Sequence, residues 1–326
     1  MNKVINAIGV DVGKEKLDVC YPDGTKETIK NIKSCRTKLI AKAKKLDAVI
    51  AFEATGSYED ALADECLESG VKAVRLDSWG TRRFAESQGR LEKTDSIDSE
   101  MIRDYVQTLK ADRLRFVKPR SEAHKRLKAA VAVRDNLMKA KTMLANQLEH
   151  ITDVALVRRI RADVRRIEKD IEKIAEECNK AIAEDDRMRD LSERFQMTKG
   201  VGPSTTWSVL AYCPDIGEFS DRSIAKYSGC APLEHKSCTI QKKSRTKRGN
   251  SRIKSALHMA AISAVRSNRI LREIYQRLLA KGKSKSVALT AVARHLAMLL
   301  NTIAKYPDFK PASDDIPRSG RTNKKE

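Results

Sequence analysis

Lys93-Thr94-Asp95-Ser96-Ile97-Asp98 opens a stretch that continues through Met101, Ile102 and Tyr105 at helical spacing. It sets two carboxylates one turn apart on one helix face. Aspartate is favoured at helix starts for capping and for the positive end of the helix dipole, so the pair alone also fits a purely structural role. Two acids upstream change its meaning. Asp11 lies inside the apolar run Ile8-Gly9-Val10-Asp11-Val12, and Glu53 closes Ala48-Val49-Ile50-Ala51-Phe52. Carboxylates in such strands are costly unless something cationic satisfies them. Asp11, Glu53, Asp95 and Asp98 form an all-oxygen set of the kind that holds one or two Mg²⁺ ions for phosphoryl transfer. The competing reading is four unrelated surface acids, with Glu53 facing water at a strand end.

Working outward, residues 4–12 read as a first strand, Leu17 to Tyr21 as a second, and Asp23-Gly24 as a hairpin signal before a third through Thr28 and Ile29. A helix from Ser34 to Leu46, a buried strand over 48–53, a helix from Tyr58 to Leu67 and a strand over 72–76 follow. Then come Trp79 to Gln88 and the acid-bearing helix from Asp95 to about Leu109. Three strands, then alternating helices and strands, with acids on the first strand, the fourth strand and a late helix, is the layout of an α/β ribonuclease-H-like domain. In that layout the first and fourth strands are neighbours.

The 326 residues suffice for two or three domains. Lys and Arg number 65 against 44 Asp and Glu, a net charge of +21, which calls for a polyanionic partner. Residues 1–110 are neutral overall, 111–200 carry +6 and 201–326 carry +15, so the acid-bearing domain is balanced and the last third would grip nucleic acid. Seven scattered cysteines without a CxxC pair indicate neither a disulfide framework nor a zinc site, and His124, His150, His235, His258 and His295 have no metal spacing. Reduced thiols in a cytoplasm are expected. No apolar run approaches about 18 residues and the N-terminus leads straight into a strand, so neither a membrane span nor a signal peptide is expected.

From Arg120 to Lys199 there is neither Gly nor Pro. Val157, Ile160, Val164, Ile167, Ile171, Ile174, Cys178 and Ala181 follow a heptad spacing, which predicts a two-helix hairpin or an intermolecular coiled coil, with an intramolecular bundle as the alternative. Beyond it, Lys199-Gly200-Val201-Gly202-Pro203 resembles the hairpin of a helix-hairpin-helix element. Such a hairpin offers backbone N–H groups to a phosphate, though a bare turn before a helix reads the same way. The run Lys242-Lys243-Ser244-Arg245-Thr246-Lys247-Arg248, ahead of a helix with Arg252, reads as a basic phosphate-binding loop. Helices are expected from Ser251 to Arg266, Ile270 to Ala280 and Ser284 to Ala304. The tail from Lys310 to Glu326 is expected to be disordered.

These motifs carry a resemblance. Gly9-Val-Asp11-Val-Gly-Lys14, Phe52-Glu53-Ala-Thr-Gly-Ser-Tyr58 and Lys93-Thr-Asp95-Ser-Ile-Asp98 resemble the RuvC-like DEDD domain of bacterial insertion-sequence transposases. That family is understood as bridge-RNA-guided recombinases and is related to Piv-type DNA invertases. Gly200-Val-Gly-Pro203, Ser228-Gly-Cys-Ala-Pro232, Lys236-Ser237 and Arg248-Gly-Asn-Ser-Arg-Ile-Lys254 resemble the family's C-terminal transposase domain, and the likeness runs from about residue 4 to 305. It implies a DEDD domain over 1–112, a helical coiled-coil segment over 113–193, a mostly α transposase domain over 194–307 and a tail over 308–326.

The resemblance further implies an RNA-guided recombinase that cuts and rejoins donor and target DNA. Ser237 would be its nucleophile, forming a phosphoserine intermediate, and Asp11, Glu53, Asp95 and Asp98 would hold Mg²⁺. Lys199, Gly200, Gly202, Lys236, Lys242, Lys243, Arg245, Lys247, Arg248 and Arg252 would contact nucleic acid. The protein would be nucleoid-associated, and the two domains, from different subunits of a dimer or tetramer, would complete one site. Cys238 stands where the family has Gly, and Ser244 is the nearest rival to Ser237. A site-specific invertase shares the motifs. A metal-dependent nuclease or Holliday-junction resolvase would use the same acids with water, and a non-catalytic binder would need only the basic third.

Overall fold

The computed structural model describes residues 5–54, 56, 58–89, 95–110, 114–236, 241–245 and 249–309, with the backbone alone for 95–97, 233–236 and 241–245. It divides into two compact units, Met1–Pro119 and Arg120–Glu326.

The first unit is built on a five-stranded mixed sheet in the order β3-β2-β1-β4-β5. The strands are β1 (Ala7–Val12), β2 (Lys16–Cys20), β3 (Lys26–Lys30), β4 (Val49–Glu53) and β5 (Ala73–Leu76). The hairpin-linked strands pair antiparallel, while β1–β4 and β4–β5 are parallel. The parallel joins are separated by helices because a parallel crossover needs a long connection. Strand alternation divides the core in two. Ile8, Val10, Ile50 and Phe52 face α1 (Lys33–Lys45) and α2 (Asp60–Glu68), through Leu39, Ile40 and Leu62. Ala7, Ala51 and Val74 face α4 (Asp95–Thr108), through Ile102 and Val106. Between β5 and α4 lies α3 (Ser78–Ser87), whose Phe84 ring sits 5.5 Å from that of Tyr105.

Small residues on the second face let α4 lie close. A Cβ added to Gly9 would stand 2.1 Å from the Ser99 carbonyl oxygen and 2.6 Å from the Arg103 nitrogen. The Arg103 guanidinium, oriented by its neighbour Asp104 at 2.6 Å, anchors the helix by donating to the Tyr21 carbonyl at 3.1 Å.

The second unit begins with an antiparallel hairpin of α5 (Glu122–Gln147) and α6 (Val154–Ala183), capped by Ser121 and Asp153. Ion pairs Arg126–Glu184 and, at 2.7 Å, Lys141–Glu168 span the two antiparallel helices. Its heptad seam therefore packs within the chain. Only the base is fully buried: Leu127, Val131, Cys178, Ala181 and Ile182 join the core formed with α7 (Asp186–Gln196), α8 (Pro203–Tyr212), α9 (Asp221–Tyr227), α10 (Ser251–Ser267), α11 (Arg269–Ala280) and α12 (Lys285–Lys305). Helix α12 is long and apolar enough to cross a membrane by length and composition. Leu296, Leu300 and Ile303 are buried in this core, so it serves as the unit's central helix.

Asn301, buried on α12, accepts from the Gly217 N–H at 2.9 Å and donates to the Phe219 carbonyl at 2.8 Å, satisfying a polar group the core would otherwise penalise.

The basic run departs from the expected loop. Lys242, Lys243 and Arg245 lie on β7 (Gln241–Arg245), paired antiparallel with β6 (Leu233–Lys236) and with a register shift between Leu233 and His235. Lys is depleted from strands, so local preference alone does not account for this pairing.

Candidate active site and nucleic-acid interface

In the first unit the ladder between β1 and β4 ends at the couple Val10 and Phe52, and the next residues on the two strands are Asp11 and Glu53. The two acids therefore close adjacent parallel strands, and the two-residue alternation turns both toward the α4 face. Both are half-buried. Helix α4 is in contact at Gly9, two residues before Asp11, through Ser99 and Arg103. Its later turns, with Val106 and Leu109, pack in the cluster of Ala7 and Ile5. It thus runs antiparallel to β1, and its first turn, bearing Asp95 and the half-buried Asp98, points to the strand ends that carry Asp11 and Glu53. The Asp95 side chain lies outside the described residues. Among the described residues no three of His, Cys, Asp or Glu stand close enough to hold a metal ion as they are. Asp11, Glu53 and Asp98 are nonetheless carboxylates, the ligand chemistry a hard divalent cation requires.

Two buried acids escaped the sequence reading. Asp18 is the cross-strand partner of Asp11 and only 7% exposed. It accepts a hydrogen bond from the Thr28 hydroxyl and pairs with Lys16 at 3.3 Å. Glu59 is 2% exposed and lies 3.6 Å from the Arg75 guanidinium. An acid within Leu17-Asp18-Val19-Cys20 was the available signal for the first. The cation beside Glu59 comes from another strand and left no local trace.

In the second unit Lys199 is exposed, while Gly200 has φ +99° and would set a Cβ 2.4 Å from the Ala264 Cα. Only glycine permits that turn to close on α10. Gly202 caps α8 ahead of Pro203, with open space where a side chain would be. Arg252 donates to the Tyr212 hydroxyl and lies 4.8 Å over its ring, so its guanidinium is engaged inside the unit. The ribbon carrying Lys236, Lys242, Lys243 and Arg245 is closed at its base. The Asn250 N–H donates to the Tyr227 carbonyl at 2.8 Å, and Gly249, at φ +91°, packs so tightly on Gly229 that a Cβ would fall 2.2 Å from its nitrogen. Asn250 then caps α10 by accepting from the Arg252 and Ile253 N–H groups. Ser237, Lys247 and Arg248 lie outside the described residues.

Charge follows this geometry. Residues 235–307 contain one acid, Glu273, and it is paired with Arg269 at 3.0 Å. The buried thiols are poor nucleophiles there, since burial pushes Cys178 up to about 11 and also raises Cys230.

Two family models match the chain, one after the other. A transposase model for the DEDD domain of IS110 elements matches residues 8–155, and a model described as Transposase IS116/IS110/IS902 family matches residues 192–276. DEDD transposase domains are typically metal-dependent. Comparison with curated proteins gives no match. With an acid-bearing α/β unit followed by a cationic helical one, each matched in that order, the chain carries both IS110-family transposase domains and is a DNA transposase/recombinase.

Proposed function

We propose that the chain is the RNA-guided recombinase of an insertion sequence and that it exchanges DNA strands through a phosphoserine. The observation that carries this reading is the alignment of Asp11 and Glu53 at neighbouring strand ends, beneath the helix bearing Asp95 and Asp98, in a chain whose stretch 235–307 holds a single acid, Glu273. A divalent cation, Mg²⁺ in our reading, held by Asp11, Glu53, Asp95 and Asp98 would act as Lewis acid toward the scissile phosphate.

The protein's own groups do the rest. Ser237 Oγ attacks phosphorus and loses its proton, while the P–O3′ bond breaks and the 3′-oxygen leaves as a hydroxyl after taking up a proton. Attack by another strand's 3′-hydroxyl on the phosphoserine forms the new P–O3′ bond and frees the serine, so no external energy source is needed. Lys236, Lys242, Lys243, Arg245, Lys247 and Arg248 offset phosphate charge, and Lys199 and Gly202 remain at the surface to add contacts. Target choice is delegated to base pairing with a guide RNA.

Self-association rests on the hairpin. Val157, Ile160, Val164, Ile167 and Ile171 are only half-buried by α5, and Met143 is 64% exposed, which leaves apolar surface for a second copy.

The test is a denaturing gel of protein incubated with donor DNA, target DNA, guide RNA and Mg²⁺. Wild type should leave an SDS-resistant protein–DNA adduct, and Ser237→Ala and Asp11→Ala should each abolish it. Cutting without an adduct that survives Ser237→Ala but not Asp11→Ala would instead establish a metal nuclease with water as nucleophile.

A further inference from the structure

A cavity of about 250 Å³ lies where α10 meets α12 and the turn after α9. Its wall is one face of α10: Ser251, Lys254, Ser255 and His258 recur at three- and four-residue spacing. Thr290 of α12 closes the opposite side and Cys230 lies at the floor. Met259 stands at the rim, 62% exposed, where a lone apolar side chain on a cationic helix gains nothing from water. Neither α10 nor α12 contains an acid. Burial raises the Cys230 thiol, against the opposing effects of its hydrogen bond with Ser228 and the charges of Lys254 and Arg294, and Lys254 itself lines the cavity.

Hydroxyls that can donate or accept, an imidazole and a thioether for a flat ring, and a cation for a phosphate are the complement of a nucleotide. At about 250 Å³ the space has room for one base with part of its sugar. We propose that this cavity takes a single unpaired nucleotide of the bound nucleic acid, base against His258 and Met259 and phosphate toward Lys254. The inference rests on the nucleic-acid function proposed above and adds to it a site that distinguishes unpaired from paired strands.

The experiment is fluorescence anisotropy with the full-length protein and three probes: a paired duplex, the same duplex with one unpaired adenosine, and that duplex with the unpaired position abasic. Stacking on a side chain discriminates by on the order of tenfold, so wild type should bind the unpaired adenosine about that much more tightly than the abasic probe. Ser255→Phe, on the exposed side of α10, fills the cavity and should bring the ratio to one without lowering Tm. A ratio of one in wild type, or an unchanged ratio in Ser255→Phe, overturns the site while duplex binding keeps the broader function intact. Failure to bind any probe would remove both.

Discussion

Gly9→Ala isolates the link between packing and chemistry. The added Cβ would lie 2.1 Å from the Ser99 carbonyl oxygen and 2.6 Å from the Arg103 nitrogen, both backbone atoms, whereas ordinary contact begins near 3.4 Å. Neither atom can swing aside as a side-chain tip would. Helix α4 must therefore retreat by about 1.3 Å from β1 at the turn that follows Asp95 and Asp98, carrying those acids away from Asp11 and Glu53. Overpacking of this size costs about 1–3 kcal/mol, or roughly 4–12 °C in Tm for a unit of this length at about 4 °C per kcal/mol.

The catalytic effect should be larger than the stability effect, because a misplacement of about 1 Å typically costs ~100-fold in rate. The assay pairs thermal unfolding by circular dichroism with single-turnover strand cleavage across a Mg²⁺ titration, both well below the variant's Tm. A folded variant with cleavage reduced on the order of 100-fold and a raised Mg²⁺ requirement is expected. Wild-type Tm and wild-type cleavage in Gly9→Ala would refute the claim that this contact sets the acids' position.

Two further expectations concern the second unit. His124 is 6% exposed, with Nε2 3.2 Å from the Leu210 carbonyl oxygen and Nδ1 buried without a hydrogen-bond partner. Burial, aided by the charge of Arg120, lowers its pKa to about 4. The unfolded chain takes up this proton near pH 6.5 and the folded chain only near pH 4. The neutral imidazole's contribution is therefore complete above pH 6.5 and is lost as pH falls toward 4. Urea unfolding should show a loss of about 2–3 kcal/mol between pH 7.5 and 4.5, most of it absent in His124→Gln, and equal stability at the two pH values would count against the assignment. For the seam, Ile160→Glu with Ile167→Glu should convert the protein to a monomer in sedimentation velocity while the buried base at Cys178 and Ile182 keeps the hairpin docked. A wild type that sediments as a monomer at all concentrations would rule out the seam as an interface.

Legibility in the sequence followed the range of the interactions. The strands of the first unit and the ends of α10 to α12 were readable to within a few residues, because strand alternation and helical spacing are local signals, whereas the break at Glu184 and Asp185 that sets α7 apart contains neither Gly nor Pro and was not. The acids Asp11 and Glu53 were conspicuous because they interrupt apolar strands. Their register was not visible, since it depends on which strand lies beside β1. The β6–β7 ribbon was hidden for the same reason, its lysines matching a solvated loop as well as a paired strand. Gly200 was read as an anion-binding turn, yet its close approach to Ala264 exists only once α10 is in place. Asp18 and Glu59 gave little sign of burial because Thr28 and Arg75, which satisfy them, come from other strands.

The pinned base of the ribbon has a consequence for exchange between relatives. Gly229 against Gly249 and the bond from Asn250 to Tyr227 bring the two ends of the excursion together independently of what it contains. Closing a loop of different length between fixed ends costs only about 0.6 kcal/mol per doubling. Relatives can therefore differ in the length of the span beyond the buried Cys230 while keeping the same two adjoining anchor points and the same helical core.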